Sequence, residues 1–367
     1  MTDFENRIRD ELRDPHWALP VWPDPMLRVR RAARRRFARQ ASVTVVVMAV
    51  LVTPLAVARS VIGHEGTSRP PAADASPVPQ SSSRPSSVPS FAKRLGGEVA
   101  YKCLEYICLM HPDGTGRRTL TATLPEWDPA WSPDGRSLAF RGYYGLAEGD
   151  YDIYTIGANG CQLRRVTHGL NGTNPAWSPT GQQIAFVAAG IETIDANSAG
   201  LRRLTRDSRI YTDMSPSWSA RGRIAFVRFH GSGPGQIYTM KSDGTSLKQI
   251  THGSDGFASP SWSPSGQKIA FATDAGTIEV ANSDGADGRT VSPKGWMSSN
   301  PTWTPGGKVV FLAYNGGHVT SYIVNPDGTG LRELYPSLGN VLAGQGQITW
   351  GPAPLAAQKC SPTPSSA

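Results

Sequence analysis

Three aspartates and two histidines come nearest to chemistry in this chain. Asp128, Asp150 and Asp213 each lie where a loop meets a candidate strand. Two carboxylates converging on one cavity, about 5–10 Å apart, would suit cleavage of a glycosidic bond, one as acid and the other as base or nucleophile. His168 and His252 stand at one repeat position, in Val-Thr-His-Gly and Ile-Thr-His-Gly. A metal site needs several such ligands with supporting partners, so the two read as polar caps on an outer strand. The sequence holds no Gly-x-Ser-x-Gly elbow, which an α/β-hydrolase nucleophile would need. It therefore nominates no catalytic residue, no metal ligand and no cofactor. A hydrolase or lyase with its site at a channel mouth is the alternative reading.

Recognition is better represented. Trp127 with Asp128, Tyr143 with Tyr144 and Asp150, Tyr211 with Asp213, His230 beside Arg228, Trp296, and Tyr314 with His318 fall in or beside loops of variable length. Aromatic and arginine side chains in loops suit partner binding. Each could instead anchor its own loop by local packing. The cysteines Cys103, Cys108, Cys161 and Cys360 can pair in three ways. Cys103 and Cys108 flank a short hairpin and are the first pair expected, which would leave Cys161 for Cys360.

A repeat positions all of these residues. Asp128–Phe140 reads Asp-Pro-Ala-Trp-Ser-Pro-Asp-Gly-Arg-Ser-Leu-Ala-Phe, and it recurs at 174–186 and 259–271, with looser copies at 215–226 and 300–311. Its tryptophans are Trp131, Trp177, Trp218, Trp262, Trp303 and Trp350, spaced by 46, 41, 44, 41 and 47 residues. A period near 40–45 marks a four-stranded propeller blade. Pro-x-Trp is a strand, Ser-Pro-Asp-Gly a tight turn and x-Ile-Ala-Phe the returning strand. Pro133 presets φ at the first central position of the turn, and Gly135 tolerates positive φ. Alternation places Leu138 and Phe140 on one face and Ala139 on the other, where a neighbouring blade can approach. A second repeat, clearest at Ile237–Thr251, supplies a third strand, an Asp-Gly turn and an outer strand. The first blade lacks a Trp strand, and the last Trp strand, at Trp350, lacks a returning strand. Joined, they complete one blade and close the ring, which removes free edges.

The Pro-x-Trp-Ser-Pro-Asp-Gly-x-x-Ile-Ala-Phe repeats resemble those of TolB-type, WD40-like propellers over about 260 residues. The resemblance implies an all-β, six-bladed propeller over residues 93–352 that serves as an interaction platform outside the cytoplasm. TolB itself carries an amino-terminal α/β domain, and here a span and a linker stand in that position.

The rest of the chain supports export. It has 367 residues and a net charge of +8, but residues 1–40 hold ten Arg against six acids, so half of the excess lies there. The remainder has no basic nucleic-acid footprint. Phe4, Ile8 and Leu12 share one helical face, so residues 1–40 form a basic cytoplasmic tail, either solvated or docking a cytosolic partner. Residues 41–58 carry no charge. Eighteen residues at about 1.5 Å each just span a bilayer core, and the seven arginines from Arg28 to Arg39 place the amino terminus inside. The expectation is a single-pass membrane protein with an extracytoplasmic propeller. Ala56-Val57-Ala58 also fits a cleavage site, which would make the protein secreted. Residues 59–92 are a Ser/Pro-rich linker expected to be disordered, and residues 353–367 a flexible tail.

Overall fold

The computed structural model describes residues 91–352, apart from 93–94, 104–105, 122–125, 144–149, 209, 316–317 and 335–347. No helix among the described residues is long and apolar enough to cross a membrane. The expected tail, span and carboxyl-terminal segment, with Cys360, lie outside them.

Six four-stranded antiparallel sheets make up the described chain. The first blade holds β1 (Glu98–Cys103), β2 (Tyr106–Met110) and β3 (Arg118–Thr119). The second holds β4 (Glu126–Trp131), β5 (Ser137–Tyr143), β6 (Tyr151–Gly157) and β7 (Arg164–Arg165). The third holds β8 (Thr173–Trp177), β9 (Gln183–Val187), β10 (Ile191–Asp195) and β11 (Arg202–Arg203). The fourth holds β12 (Tyr211–Trp218), β13 (Arg223–His230), β14 (Gly235–Lys241) and β15 (Lys248–Gln249). The fifth holds β16 (Phe257–Trp262), β17 (Lys268–Thr273), β18 (Ile278–Asn282) and β19 (Arg289–Thr290). The sixth holds β20 (Met297–Trp303), β21 (Val309–Asn315), β22 (His318–Val324) and β23 (Arg332–Glu333). The last strand, β24 (Ile348–Gly351), pairs with β1 through Val99↔Trp350 and Tyr101↔Ile348. The ring is closed by its two ends, as the unpaired half-blades require.

The small residue in each returning strand sets blade spacing. Ala100 packs with Leu138 and Phe140 of the next blade, Ala139 with Ile184 and Phe186, and Ala185 with Ile224 and Phe226. Ala225 and Ala270 repeat the contact, and Val310 makes it back onto Val99 and Tyr101 of the first blade. Phe140, Phe186, Phe226 and Phe311 are fully buried. Trp131 sits in the wedge between the first two blades. The Trp177 and Trp303 indoles donate to the carbonyls of Ala130 and Ser261 in the preceding blade at 3.1 and 2.9 Å, and the Trp350 indole donates to Gly96 O, just before β1 of its own blade, at 2.9 Å.

The inner strands are bulged rather than straight. Register slips just before the Pro-x-Trp segment in β4, β8, β12, β16 and β20. At each slip the residue before proline is left-handed: Asp128, Asn174, Ser215, Ser259 and Asn300 have φ between 50° and 57°. Proline cannot donate to the ladder, so the strand yields there, and short polar side chains tolerate that backbone best.

Outer strands are tied in two ways. Thr121, Thr167, Thr205 and Thr251 accept the N–H of Ile107, Ile153, Ile191 and Ile237 at 2.8–3.0 Å. This threonine is the strand cap; His168 and His252, one residue later, are exposed. Thr251→Val would leave the Ile237 N–H buried and unpaired, and is expected to lower stability by about 1–2 kcal/mol. Urea unfolding should show a lower midpoint with an unchanged slope; an unmoved midpoint would remove the cap from the account. The second tie was not foreseen. The first residue of five outer strands donates to a turn carbonyl of the following blade: Arg118 to Ala158 (3.0 Å), Arg164 to Asn197, Arg202 to Asp243 (2.9 Å), Lys248 to Asp284 (3.4 Å) and Arg289 to Asp327 (3.3 Å).

Phe91 and Ala92, the last residues of the expected linker, pack onto the closing cluster, with Ala92 fully buried.

Candidate functional site

Antiparallel order sorts the loops. Turns between first and second strands, and between third and fourth, share one face and are tight. Gly135 and Gly181, for example, donate to Ser132 and Ser178 three residues back, at 3.0 and 2.9 Å. The other connections share the opposite face and differ in length, and a rigid scaffold tolerates such variation.

On that variable face the first two blades build a cation–aromatic cluster. Trp127 and Asp128 come from the start of β4, Arg141 and Tyr143 from the end of β5, Tyr151 from the start of β6 and Lys102 from the end of β1. Trp127 and Tyr143 meet Tyr151 edge-on at 6.0 and 5.1 Å. The Arg141 guanidinium lies 5.0 Å from the Trp127 ring and 5.1 Å from Tyr151, and the Lys102 ammonium lies 4.6 Å from Trp127. Arg141 Nε is 3.3 Å from an Asp128 carboxylate oxygen, and both side chains are about one-fifth exposed (23% and 19%). Burial pushes the Asp128 carboxyl up, opposed by Arg141, the Asn174 N–H and Lys102. Lys102 is buried and Arg141 is paired with Asp128, so the result is a cluster of two cations and one carboxylate against aromatic faces, with Trp127, Arg141 and Tyr151 partly open to solvent.

The fourth blade builds a closed version. Asp213 is fully buried and accepts two bonds of 2.6 Å from Arg228. Arg228 is flanked by the rings of Tyr211, Phe226 and Tyr238 at 5.0–5.3 Å. Tyr211 meets His230 edge-on at 5.2 Å, and both are exposed. Trp296 rests on Tyr322 at 4.5 Å, a local anchor. Tyr314 pairs with Met297 and Val319 in β21, and His318 opens β22 opposite Asn315. Asp150 precedes β6 beside the cluster, and Tyr144 lies outside the described residues. Asp128 and Asp213 do not converge: they are held by different arginines in different blades. The sequence analysis did not nominate Lys102, Arg141 or Tyr151; Arg141 and Tyr151 flank the loop that holds Tyr143, Tyr144 and Asp150.

The axis of the ring is a cavity of about 240 Å³ lined by the inner strands, with Asn174, Ser215, Ser259 and Asn300 among its walls. Ser259 Oγ bonds Asn300 Oδ1 at 3.3 Å, linking neighbouring blades. Among the described residues no three His, Cys, Asp or Glu side chains group as metal ligands. Cys103 and Cys108 form a disulfide, with Cα atoms 5.7 Å apart, which pins the β1–β2 hairpin of the variable face. Cys161 is also disulfide-bonded.

Residues 188–353 match the family model for the TolB beta propeller domain. The match covers the later blades and the closing strand. TolB from Acinetobacter baumannii superposes with a TM-score of 0.56 at 23% identity, covering 70% of this chain and 67% of that one. A chain of the nidogen/laminin complex superposes with a TM-score of 0.57 at 11% identity, covering 70% and 98%. At these identities the likeness is one of fold. A curated protein of Agrobacterium fabrum, itself uncharacterized, is 28% identical over 167 residues, 46% of this chain. The chain spans less than half (42%) of that relative's length. The family match thus falls on the later blades, while the cation–aromatic cluster lies in blades before the matched segment.

Proposed function

We propose that this propeller is a non-catalytic binding platform, tethered by residues 41–58 with residues 1–40 in the cytoplasm, and that its variable face captures a protein or small-ligand partner. One observation carries the reading: Lys102, Trp127, Arg141, Tyr143 and Tyr151 form a preformed, partly open cluster at 4.6–6.0 Å spacings. Aromatic and arginine side chains held rigid lose little entropy on binding and make good anchors. The pairing of Asp128 with Arg141 in one blade and of the buried Asp213 with Arg228 in another favours binding over catalysis by that carboxylate pair. A contact made outside could be relayed to a cytosolic partner of residues 1–40.

Photo-cross-linking on the full chain tests this. A cross-linker at Tyr143 is expected to yield protein or soluble-ligand adducts, while one at Gln182, exposed on the tight-turn face, yields no adduct of that kind. Trp127→Ala should reduce the Tyr143 adducts about tenfold, the scale of one to two cation–π contacts. Equal labelling from both faces, or indifference to Trp127→Ala, would remove the site.

A further inference from the structure

The tight-turn face carries an arc of exposed leucines. Leu163, Leu201 and Leu247 are 45%, 51% and 47% exposed and occupy one repeat position, just before β7, β11 and β15. The next residue is a cation in each blade: Arg164, Arg202 and Lys248. Each bonds a backbone carbonyl of the following blade. A neutral carbonyl orients the charge without cancelling it.

Charge follows the leucines around the ring. Residues 158–165, 195–203 and 241–249 hold six Arg or Lys against two Asp, with Arg165 and Arg203 paired to the buried Asp152 and Glu192. The matching segments of the fifth and sixth blades, 282–290 and 325–333, hold two against four acids. There the leucine position is Gly288, or Leu331, which is packed on the core. The first blade's segment, 111–119, is also positive, with Arg117 and Arg118 against Asp113, but Arg117 stands at its leucine position. Among the described residues, an exposed leucine beside positive charge at this position therefore recurs in the second, third and fourth blades.

Chain direction says what lies opposite. β1 is the second strand of its blade, so it starts on the tight-turn face. Gly96, just before it, takes the Trp350 indole, and Phe91 lies against the Arg332 guanidinium at 5.1 Å. Phe91, where the described chain begins, therefore lies on this side, and the uncharged segment 41–58 precedes it in the sequence.

We propose that Leu163, Leu201 and Leu247 with their neighbouring cations form a docking surface for a bilayer rich in anionic headgroups. Apolar side chains beside Lys and Arg suit the headgroup boundary. One leucine per blade, spread along a rim, suits a continuous plane better than a compact protein knob. The proposal rests on the tethered reading for the orientation it implies, in which the variable face points away from the membrane.

Hydrogen exchange of the full chain in nanodiscs provides the test. Segments 197–204 and 243–250 are expected to exchange at least threefold more slowly in discs of phosphatidylcholine with phosphatidylglycerol than in phosphatidylcholine alone. Segment 211–214 on the variable face should not change. The triple variant Leu163→Ser, Leu201→Ser, Leu247→Ser should abolish the slowing, and these exposed positions leave the core untouched. Equal exchange in both disc types, or slowing that survives the triple variant, overturns the proposal. Slowing caused by polyglutamate but not by anionic discs would assign the surface to an acidic protein, which also overturns it. Intact mass separates the two readings: cleavage near Ala58 would end the tether, and flotation of the processed protein with the same vesicles and variant would still decide the docking.

Discussion

Trp350→Ala is expected to cost about 3–5 kcal/mol, the scale of removing a large aromatic from a packed core. Trp350 is 7% exposed and packs in the cluster that joins the first and sixth blades. Its indole also donates to Gly96 O at 2.9 Å. Every other blade is held to its neighbours by continuous chain as well as by packing. The closing blade is assembled from the two ends, and β24 meets β1 through the ladder Val99↔Trp350 and Tyr101↔Ile348. Gly97→Ala should act similarly. Gly97 has φ of 83°, and a Cβ there would lie 2.2 Å from Gly351 O, a collision with backbone that cannot rotate away. Urea unfolding and limited proteolysis after residue 334 are the measurements. A Trp350→Ala cost below 1 kcal/mol would mean that the ring does not depend on this closure.

The second large effect is a pH dependence centred on Glu126. Glu126 opens β4 and is fully buried, with one carboxyl oxygen accepting from Thr121 Oγ1 and the other unpartnered. Its counterpart in the fourth blade is Asp213: Glu126 faces Gly142 across the ladder where Asp213 faces Arg228. One position thus holds a paired carboxylate in one blade and a lone carboxyl in another. Burial pushes the Glu126 pKa up to about 8, with the Ile107 backbone N–H opposing. The folded protein therefore holds this proton more tightly than the unfolded chain. The resulting stability is fully present below the ordinary carboxyl pKa, near 4.3. It is lost as pH rises toward 8, because stability falls with pH where the folded state binds more protons. Glu126→Gln removes the titration. It is expected to match the wild type at pH 5 and to exceed it by about 3 kcal/mol at pH 8.5. Urea curves at both pH values measure this. A difference that does not grow with pH would mean Glu126 is ionised in the folded protein.

Much of the scaffold was legible because its instructions are local and repeated. Ser132-Pro133-Asp134-Gly135 carries its own turn chemistry, and the Leu138–Ala139–Phe140 alternation decides which face receives the next blade. Five further tryptophans restate the pattern, so single ambiguities average out. The orphan half-blades at Val99 and Trp350 required ring closure by their mismatch alone. The bulge at Asp128 and its relatives was less visible. Proline marked the spot, but the left-handed backbone before it depends on how the inner strands crowd the axis.

The candidate site was legible as a list of loops, not as an arrangement. Trp127, Asp128, Tyr143, Tyr211 and Asp213 all looked alike from sequence: polar or aromatic residues beside variable connections. Packing then divided them, leaving Trp127 and Tyr143 in a half-open cluster and burying Asp213 under Arg228. Lys102 was invisible because it comes from another blade, 25 residues before the ring it covers. The amino-acid sequence by itself determined the blade, through hydrogen bonds and side-chain alternation between near neighbours in the chain, and it determined the number of blades and the manner of closure through the count of repeats and the mismatch of the two half-blades. Only the tertiary structure decided which charges are paired, which are buried and which face outward. Those outcomes depend on the distance between side chains of different blades, and no local pattern encodes that distance.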